Sequence, residues 1–124
     1  MWKNVNGKLV HITDSTRVKF RTNISKSLLN ELEHLAEKHN TRINYLLETG
    51  LEKVLEENFI AFNKSNRPKD RVQYKTTYDR KLLIRIKKIA AEHSLFVNDV
   101  IEYSYRYIDP TKSKHANHPY RIEH

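Results

Sequence analysis

Hydrophobic and polar positions along this chain follow two rhythms in turn, and the same succession of rhythms occurs twice. Val18, Phe20 and Thr22 fall on one side of an extended segment, and Lys19, Arg21 and Asn23 on the other. Period-two alternation, with β-branched and aromatic residues on one side, predicts a short β-strand with an apolar inner face and a donor-rich outer face. Ser25 then stands where a helix N-cap belongs. Beyond it the rhythm becomes helical: Leu28, Leu29, Leu32, Leu35 and Ala36 share one face. A polar break at His39-Asn40-Thr41-Arg42 precedes a second helical stripe of Ile43, Leu46, Leu47, Leu51, Val54 and Leu55.

Shifting the chain by 54 positions lays Arg17-Val18-Lys19-Phe20-Arg21-Thr22 over Arg71-Val72-Gln73-Tyr74-Lys75-Thr76 with no gap. In this register Leu28-Leu29 falls on Leu82-Leu83, Ala36 on Ala90, His39 on His93, Asn44 on Asn98 and Glu48 on Glu102. The second copy therefore predicts a strand with Val72, Tyr74 and Thr76 inward and Gln73, Lys75 and Thr77 outward, then an N-cap at Asp79. Its first helix carries Leu82, Leu83, Ile86, Ile89 and Ala90. A shorter break at His93-Ser94 leads to a second stripe of Val97, Val100, Ile101, Tyr105 and Ile108, ended by Asp109-Pro110. Gly50 and Ser104 occupy matched places on the second helices, where small residues let helices cross closely. A match this long and unbroken indicates duplication.

The expected organisation has five parts. Residues 1–15 form an N-terminal arm or a hairpin around Asn6-Gly7, a favoured two-residue turn. Residues 16–62 are the first repeat, 63–69 a linker, 70–109 the second repeat, and 110–124 a flexible basic C-terminal tail.

One such strand cannot satisfy its own backbone, and two short helices with one apolar stripe each leave those faces bare. The unit needs a copy of itself, and a copy is covalently attached. Strand-helix-helix in two registered copies over residues 17–108, with Asn44 and Asn98 at the start of the second helices, resembles the ribbon-helix-helix family of Arc- and MetJ-type DNA-binding proteins. The resemblance implies a mainly α fold with a short two-stranded antiparallel β-ribbon, a tandem pseudo-dimer whose ribbon enters the DNA major groove. It assigns base contacts to the outward side chains Lys19, Arg21, Asn23, Gln73, Lys75 and Thr77. Arg and Lys donate to guanine, Asn and Gln pair with adenine, and a Thr methyl meets thymine. Phosphates fall to Arg42, Asn44 and Asn98 at the second helices' N-termini, with Lys26 and Arg80 flanking. Copy two departs from the pattern, with Leu95-Phe96 where copy one has Thr41-Arg42, so a weaker clamp is expected there.

The function these residues imply is sequence-specific binding of double-stranded DNA by a transcriptional repressor. One ribbon touches few base pairs, so self-association on adjacent subsites is expected. The alternative is a DNA-binding accessory or adapter protein of a plasmid or phage system (relaxosome, partition or antitoxin type). Such a protein would hold a partner through its termini, where Trp2, Tyr120 and Ile122 lie.

Composition agrees with this and narrows it. The 124 residues carry 23 Lys and Arg against 15 Asp and Glu, a formal charge of +8 that attracts polyanions. Two glycines are too few for a phosphate-cradling loop, and no cysteine is available for a disulfide, a thiolate zinc site or a nucleophile. No apolar run suits a membrane span or a secretory signal, so a cytoplasmic, nucleoid-associated protein is expected. Enzymatic chemistry finds no footing. His34 and His39 do not share a helix face, His115 and His118 lack a third ligand, and Tyr105 lies on an apolar stripe. The expectation is no catalytic residue, metal or cofactor. Anionic lipid ranks last, because the helices mix Glu with Lys.

Overall fold

Each ribbon strand ends at the residue that caps the following helix. Ser25 accepts from the Leu28 N–H and Asp79 from the Leu82 N–H, so both helices start one residue past their strands. The computed structural model describes residues 2–5, 8–11 and 16–116. Strands β1 (Trp2–Val5) and β2 (Lys8–His11) pair antiparallel with Val5 opposite Lys8. The expected Asn6-Gly7 turn between them lies outside the described residues. Next come β3 (Arg17–Ser25), α1 (Lys26–Lys38), α2 (Ile43–Glu57), β4 (Arg71–Asp79), α3 (Arg80–Glu92) and α4 (Val97–Tyr103). The chain is mostly helical.

β3 and β4 pair antiparallel over all nine residues, Arg17 opposite Asp79 and Ser25 opposite Arg71. The two repeats thus supply each other's missing strand within one chain. Their inner faces sit on the helices: Ile24 and Tyr78 are fully buried, Phe20 meets Tyr78 edge to face at 6.2 Å, and Leu32, Leu47, Val54, Ile86, Val100 and Ile101 complete the core. Val72 is the inward position that stays 40% exposed. Both helix-to-helix turns are equally long. Asn40 and Ser94, 54 positions apart, adopt left-handed φ angles of 50° and 55°. Leu95-Phe96 therefore belongs to the turn, and the break in copy two is not shorter as its sequence suggested.

The second helices differ in length. A Cβ on Gly50 would run into the Ser104 carbonyl, so α2 crosses the end of α4 at backbone contact. From Ser104 to Tyr107 the chain tightens into a 3-10 turn, and the Ser104 hydroxyl donates to the Ile101 carbonyl. The tighter period changes the phase of the stripe. Tyr103 is buried and its hydroxyl accepts from the Ala61 N–H, whereas Tyr105, expected in the core, is 37% exposed.

The segments expected to be a linker and a flexible tail are tied down where they are described. After α2 the chain passes under α4 with Ile60 buried, makes a 3-10 turn at Lys64–Asn66, and sets Arg67 against Asp99. After α4, residues 109–116 run over α2. Asp109 N–H donates to the Thr49 hydroxyl, the Thr41 hydroxyl bonds to the Lys114 carbonyl, and Ala116 N–H donates to the Asn40 carbonyl at 2.8 Å. Each repeat's trailing segment thereby straps the other repeat's second helix. Residues 117–124 lie outside the described residues.

One group inside the core is unsatisfied. The Tyr78 hydroxyl is buried with no hydrogen-bond partner among the described residues, and burial pushes its pKa up. An unpaired buried hydroxyl costs about 1–3 kcal/mol. Tyr78→Phe is therefore expected to raise the urea midpoint by the equivalent of about 1 kcal/mol, part of the gain being lost to the small void left behind. A lowered midpoint would mean that the hydroxyl is bonded in solution.

Candidate nucleic-acid interface

The outer face of the ribbon pairs Lys19 with Thr77, Arg21 with Lys75 and Asn23 with Gln73. Arg21 and Lys75 are also repeat equivalents, so the centre of the ribbon falls between two cations. Lys19, Arg21, Asn23, Gln73 and Lys75 are exposed, and their side chains have no hydrogen-bond or ion-pair partner among the described residues. Thr77 differs. It is half-buried, and its hydroxyl oxygen lies 3.1 Å from Arg17 Nε and 3.4 Å from Asn44 Nδ2. Its Oγ1 is already used by protein donors, which leaves only the methyl for the expected thymine contact; it lies at the ribbon end where α2 docks.

Both ends of the ribbon are held by the same construction. Glu48 Oε1 pairs with Arg17 Nη2 at 3.3 Å, and Glu48 Oε2 accepts from the Asp79 N–H at 2.8 Å. At the other end Glu102 pairs with Arg71 and accepts from the Ser25 N–H at 2.8 Å. Asn44 Nδ2 donates to the Thr77 carbonyl at 2.9 Å, and Asn98 Nδ2 to the Asn23 carbonyl at 3.0 Å. Both asparagine side chains are thus occupied in docking the second helices on the ribbon. Each side chain thereby holds its helix N-terminus beside a strand. Lys26 and Arg80 stand exposed at opposite ends of the ribbon, with their N–H groups bonded to the Asp70 and Thr16 carbonyls.

The two helix N-termini carry different chemistry. In copy one Arg42 is exposed at the start of α2, beside a cleft of about 720 Å³ that also reaches Lys19 and Thr77. Behind it the Arg17 guanidinium lies over the Tyr45 ring at 5.3 Å, with Lys114 on the same ring at 5.6 Å. In copy two Asp99 replaces Tyr45. Buried, it accepts from Arg67 Nε at 3.0 Å, Arg67 Nη2 and Arg71 Nη2 at 2.8 Å, and the Phe96 N–H at 2.9 Å. Phe96 stands 61% exposed where copy one has Arg42, and the Arg67 guanidinium covers its ring at 4.6 Å. Arg67 and Arg71 are matched there by Asp99 and Glu102, whereas in copy one Arg42 and Lys19 share their cleft with Glu33 and Glu37.

Sequence reasoning missed Arg67, Arg17 and the strap. The only signal for Arg17 was its match to Arg71 in a register that also matched Glu48 to Glu102. Arg67 and Lys114 lie in aperiodic segments and gave none. Among the described residues no cluster of three or more His, Asp or Glu is placed to hold a metal, and no helix is long and apolar enough to cross a membrane. His115 bonds to Asn40 Nδ2, and His118 lies outside the described residues. No protein-family model matches the chain, and neither a curated protein nor a solved structure matches it.

Burial raises the pKa of Glu48 even though Arg17 pulls the other way. For Asp99, burial is outweighed by its bonds to Arg67 and Arg71, and its pKa is lowered. Asp70 is lowered from 3.8 to about 2, chiefly by the Ser27 N–H and also by serine hydroxyls. A carboxyl depressed in the folded state contributes stability that is complete above its unfolded pKa and lost as pH falls through its folded one. Asp70's share is therefore lost between pH 3.8 and about 2. Asp70→Asn is expected to flatten that part of the acid limb in a urea-midpoint series. Superimposable acid limbs would show that Asp70 is not held by Ser27.

Proposed function

We propose that the chain is a tandem ribbon-helix-helix pseudo-dimer that binds double-stranded DNA sequence-specifically and acts as a transcriptional repressor, by occupying sites that transcription needs. The observation that carries this reading is the centre of the ribbon. Arg21 and Lys75 face each other, exposed and with no acidic partner among the described residues. Like charges directly opposite across a strand pair destabilise it, and a polyanion laid over them removes that cost. A two-stranded ribbon fits the major groove, about 12 Å wide. There Arg21, Lys19 and Lys75 donate to guanine N7 and O6, and Asn23 and Gln73 pair with adenine. Thr77 stays a structural residue whose methyl alone remains for a thymine.

The N–H groups of the first turn of α2, with Arg42, take one phosphate, and Lys26 and Arg80 take others at the two ends. Asn44 and Asn98 act as positioning residues. Because Lys19 stands where copy two has Gln73, and Arg42 where it has Phe96, the chain reads a non-palindromic subsite in one direction. No catalytic group or cofactor enters this reading.

Selection from a random duplex library at near-physiological salt is expected to enrich one asymmetric motif. Against that motif Arg21→Ala should relax preference at one position by about 1–3 kcal/mol. An unchanged preference would move the reading face elsewhere, and no binding to any duplex would refute the function.

The backbone contacts have their own signature. Each neutralised phosphate contributes about 0.9 to the log–log salt slope. Arg42→Ala is expected to lower the slope by about one such unit and weaken binding to all sequences alike. Phe96→Ala should leave the slope in place. Equal effects of the two substitutions would contradict the one-directional clamp.

A further inference from the structure

The cleft beside Arg42 carries charges of both signs. Glu33 and Glu37 line it from α1, Lys19 from β3, Arg42 from the start of α2, and Tyr74 from β4. Its volume of about 720 Å³ falls within the range of ligand pockets, roughly 300–1,000 Å³. The second repeat shows what the matched positions do with their own side chains. There Lys87 stands for Glu33, Phe20 for Tyr74 and Ala91 for Glu37, and Lys87 Nζ lies 5.3 Å from the centre of the Phe20 ring. In copy two, then, the chain lays a cation of its own over that ring.

Copy one keeps the ring, replaces the cation by a carboxylate and adds a second carboxylate. Among the described residues no cation covers Tyr74, and neither Glu33 nor Glu37 has an ion-pair partner. Like charges four residues apart destabilise a helix, so α1 bears a cost that an incoming cation removes. Carboxylates beside an aromatic face are the groups that hold an ammonium. A simple cation would, however, meet Lys19 and Arg42 in the same cleft; Arg17, which also borders it, is already paired with Glu48. An anionic group on the same ligand turns that repulsion into attraction.

We propose that this cleft binds a small zwitterion, a molecule with an ammonium group at one end and a carboxylate at the other. The ammonium lies over the Tyr74 ring beside Glu33 and Glu37, and the carboxylate meets Arg42 and Lys19. The site itself does not depend on the DNA-binding reading above. Its consequence does: a carboxylate on Arg42 takes the place that reading gives to a phosphate, so zwitterion and DNA oppose each other's binding.

The test titrates the full-length chain, without DNA, with γ-aminobutyrate and ε-aminocaproate, and with butylamine and butyrate as controls of one charge each. The urea midpoint is read at each concentration, since a ligand of the folded state raises it. At least one of the two amino acids is expected to give a saturable rise, with either control about tenfold less effective. Glu33→Lys supplies the cation that copy two carries and should abolish the rise in a chain that still unfolds cooperatively. Glu37→Ala, again the residue of copy two, should weaken the affinity about tenfold. Tyr74→Phe keeps the ring and should bind as before. No saturable rise with either amino acid, or butylamine as effective as both, would overturn the proposal. In mobility shifts on the selected duplex, the active amino acid should weaken DNA binding by the unaltered chain and leave that of Glu33→Lys unchanged. DNA affinity indifferent to a saturating amino acid would overturn the antagonism alone. No binding to any duplex would overturn the DNA-binding reading and leave the site standing.

Discussion

Two buried carboxylates decide how this chain can fold. Glu48 takes the guanidinium of Arg17, at the start of its own repeat's strand, and the N–H of Asp79, at the end of the other repeat's strand. Glu102 does the same with Arg71 and Ser25. Neither carboxylate is satisfied unless the two strands lie side by side in the observed register. A slip of one residue would carry the Asp79 and Ser25 N–H groups away and leave an ionised group buried with half its partners, a penalty of several kcal/mol. The buried inner face already forbids a one-residue slip, which would turn Ile24 or Tyr78 outward. These two groups reinforce that register, and they fix the second helices against the ribbon in the same act.

On that common frame the repeats diverge at a few places. Position 45 is Tyr and position 99 is Asp, and each meets an arginine from its own strand: Arg17 lies over the ring, and Arg71 bonds to the carboxylate. The acid then needs a second cation, and Arg67 from the linker supplies it. Copy one instead keeps Arg42 exposed, with the C-terminal strap bringing Lys114 behind it. Both halves lie in one chain, so each is free to change without imposing the same change on the other. A symmetric dimer would carry every such substitution twice.

The sequence was legible wherever a feature repeats. The strands, both N-caps at Ser25 and Asp79, the helical stripes and the match of Asn44, Glu48, Asn98 and Glu102 were readable because the same packing had to be specified twice. Its aperiodic parts were not. Residues 109–116 look like tail composition, and what holds them is a scatter of short polar contacts to Asn40, Thr41 and Thr49, which has no period to read. Asn44 and Asn98 were placed at the right helix ends, but the strand carbonyls their side chains reach were not foreseen, because a polar residue at a helix start suits a phosphate and a neighbouring carbonyl equally well. Tyr105 was misplaced because its helical phase holds only while α4 continues, and the approach of Gly50 to the Ser104 carbonyl is a tertiary constraint.

The ribbon's two faces make opposite contributions. Inside, Ile24, Phe20 and Tyr78 hold the strands to the helices; outside, the central pair is two cations that repel. A sheet of two strands is marginal in water even with favourable cross-strand pairs. This one persists because its ends are clamped by Glu48 and Glu102 and its inner face is buried, so the outer face is released from any duty to stabilise the fold. Side chains on it can then be selected for what they meet. Whatever anion binds there relieves the repulsion between Arg21 and Lys75, and by linkage it must also stabilise the folded chain.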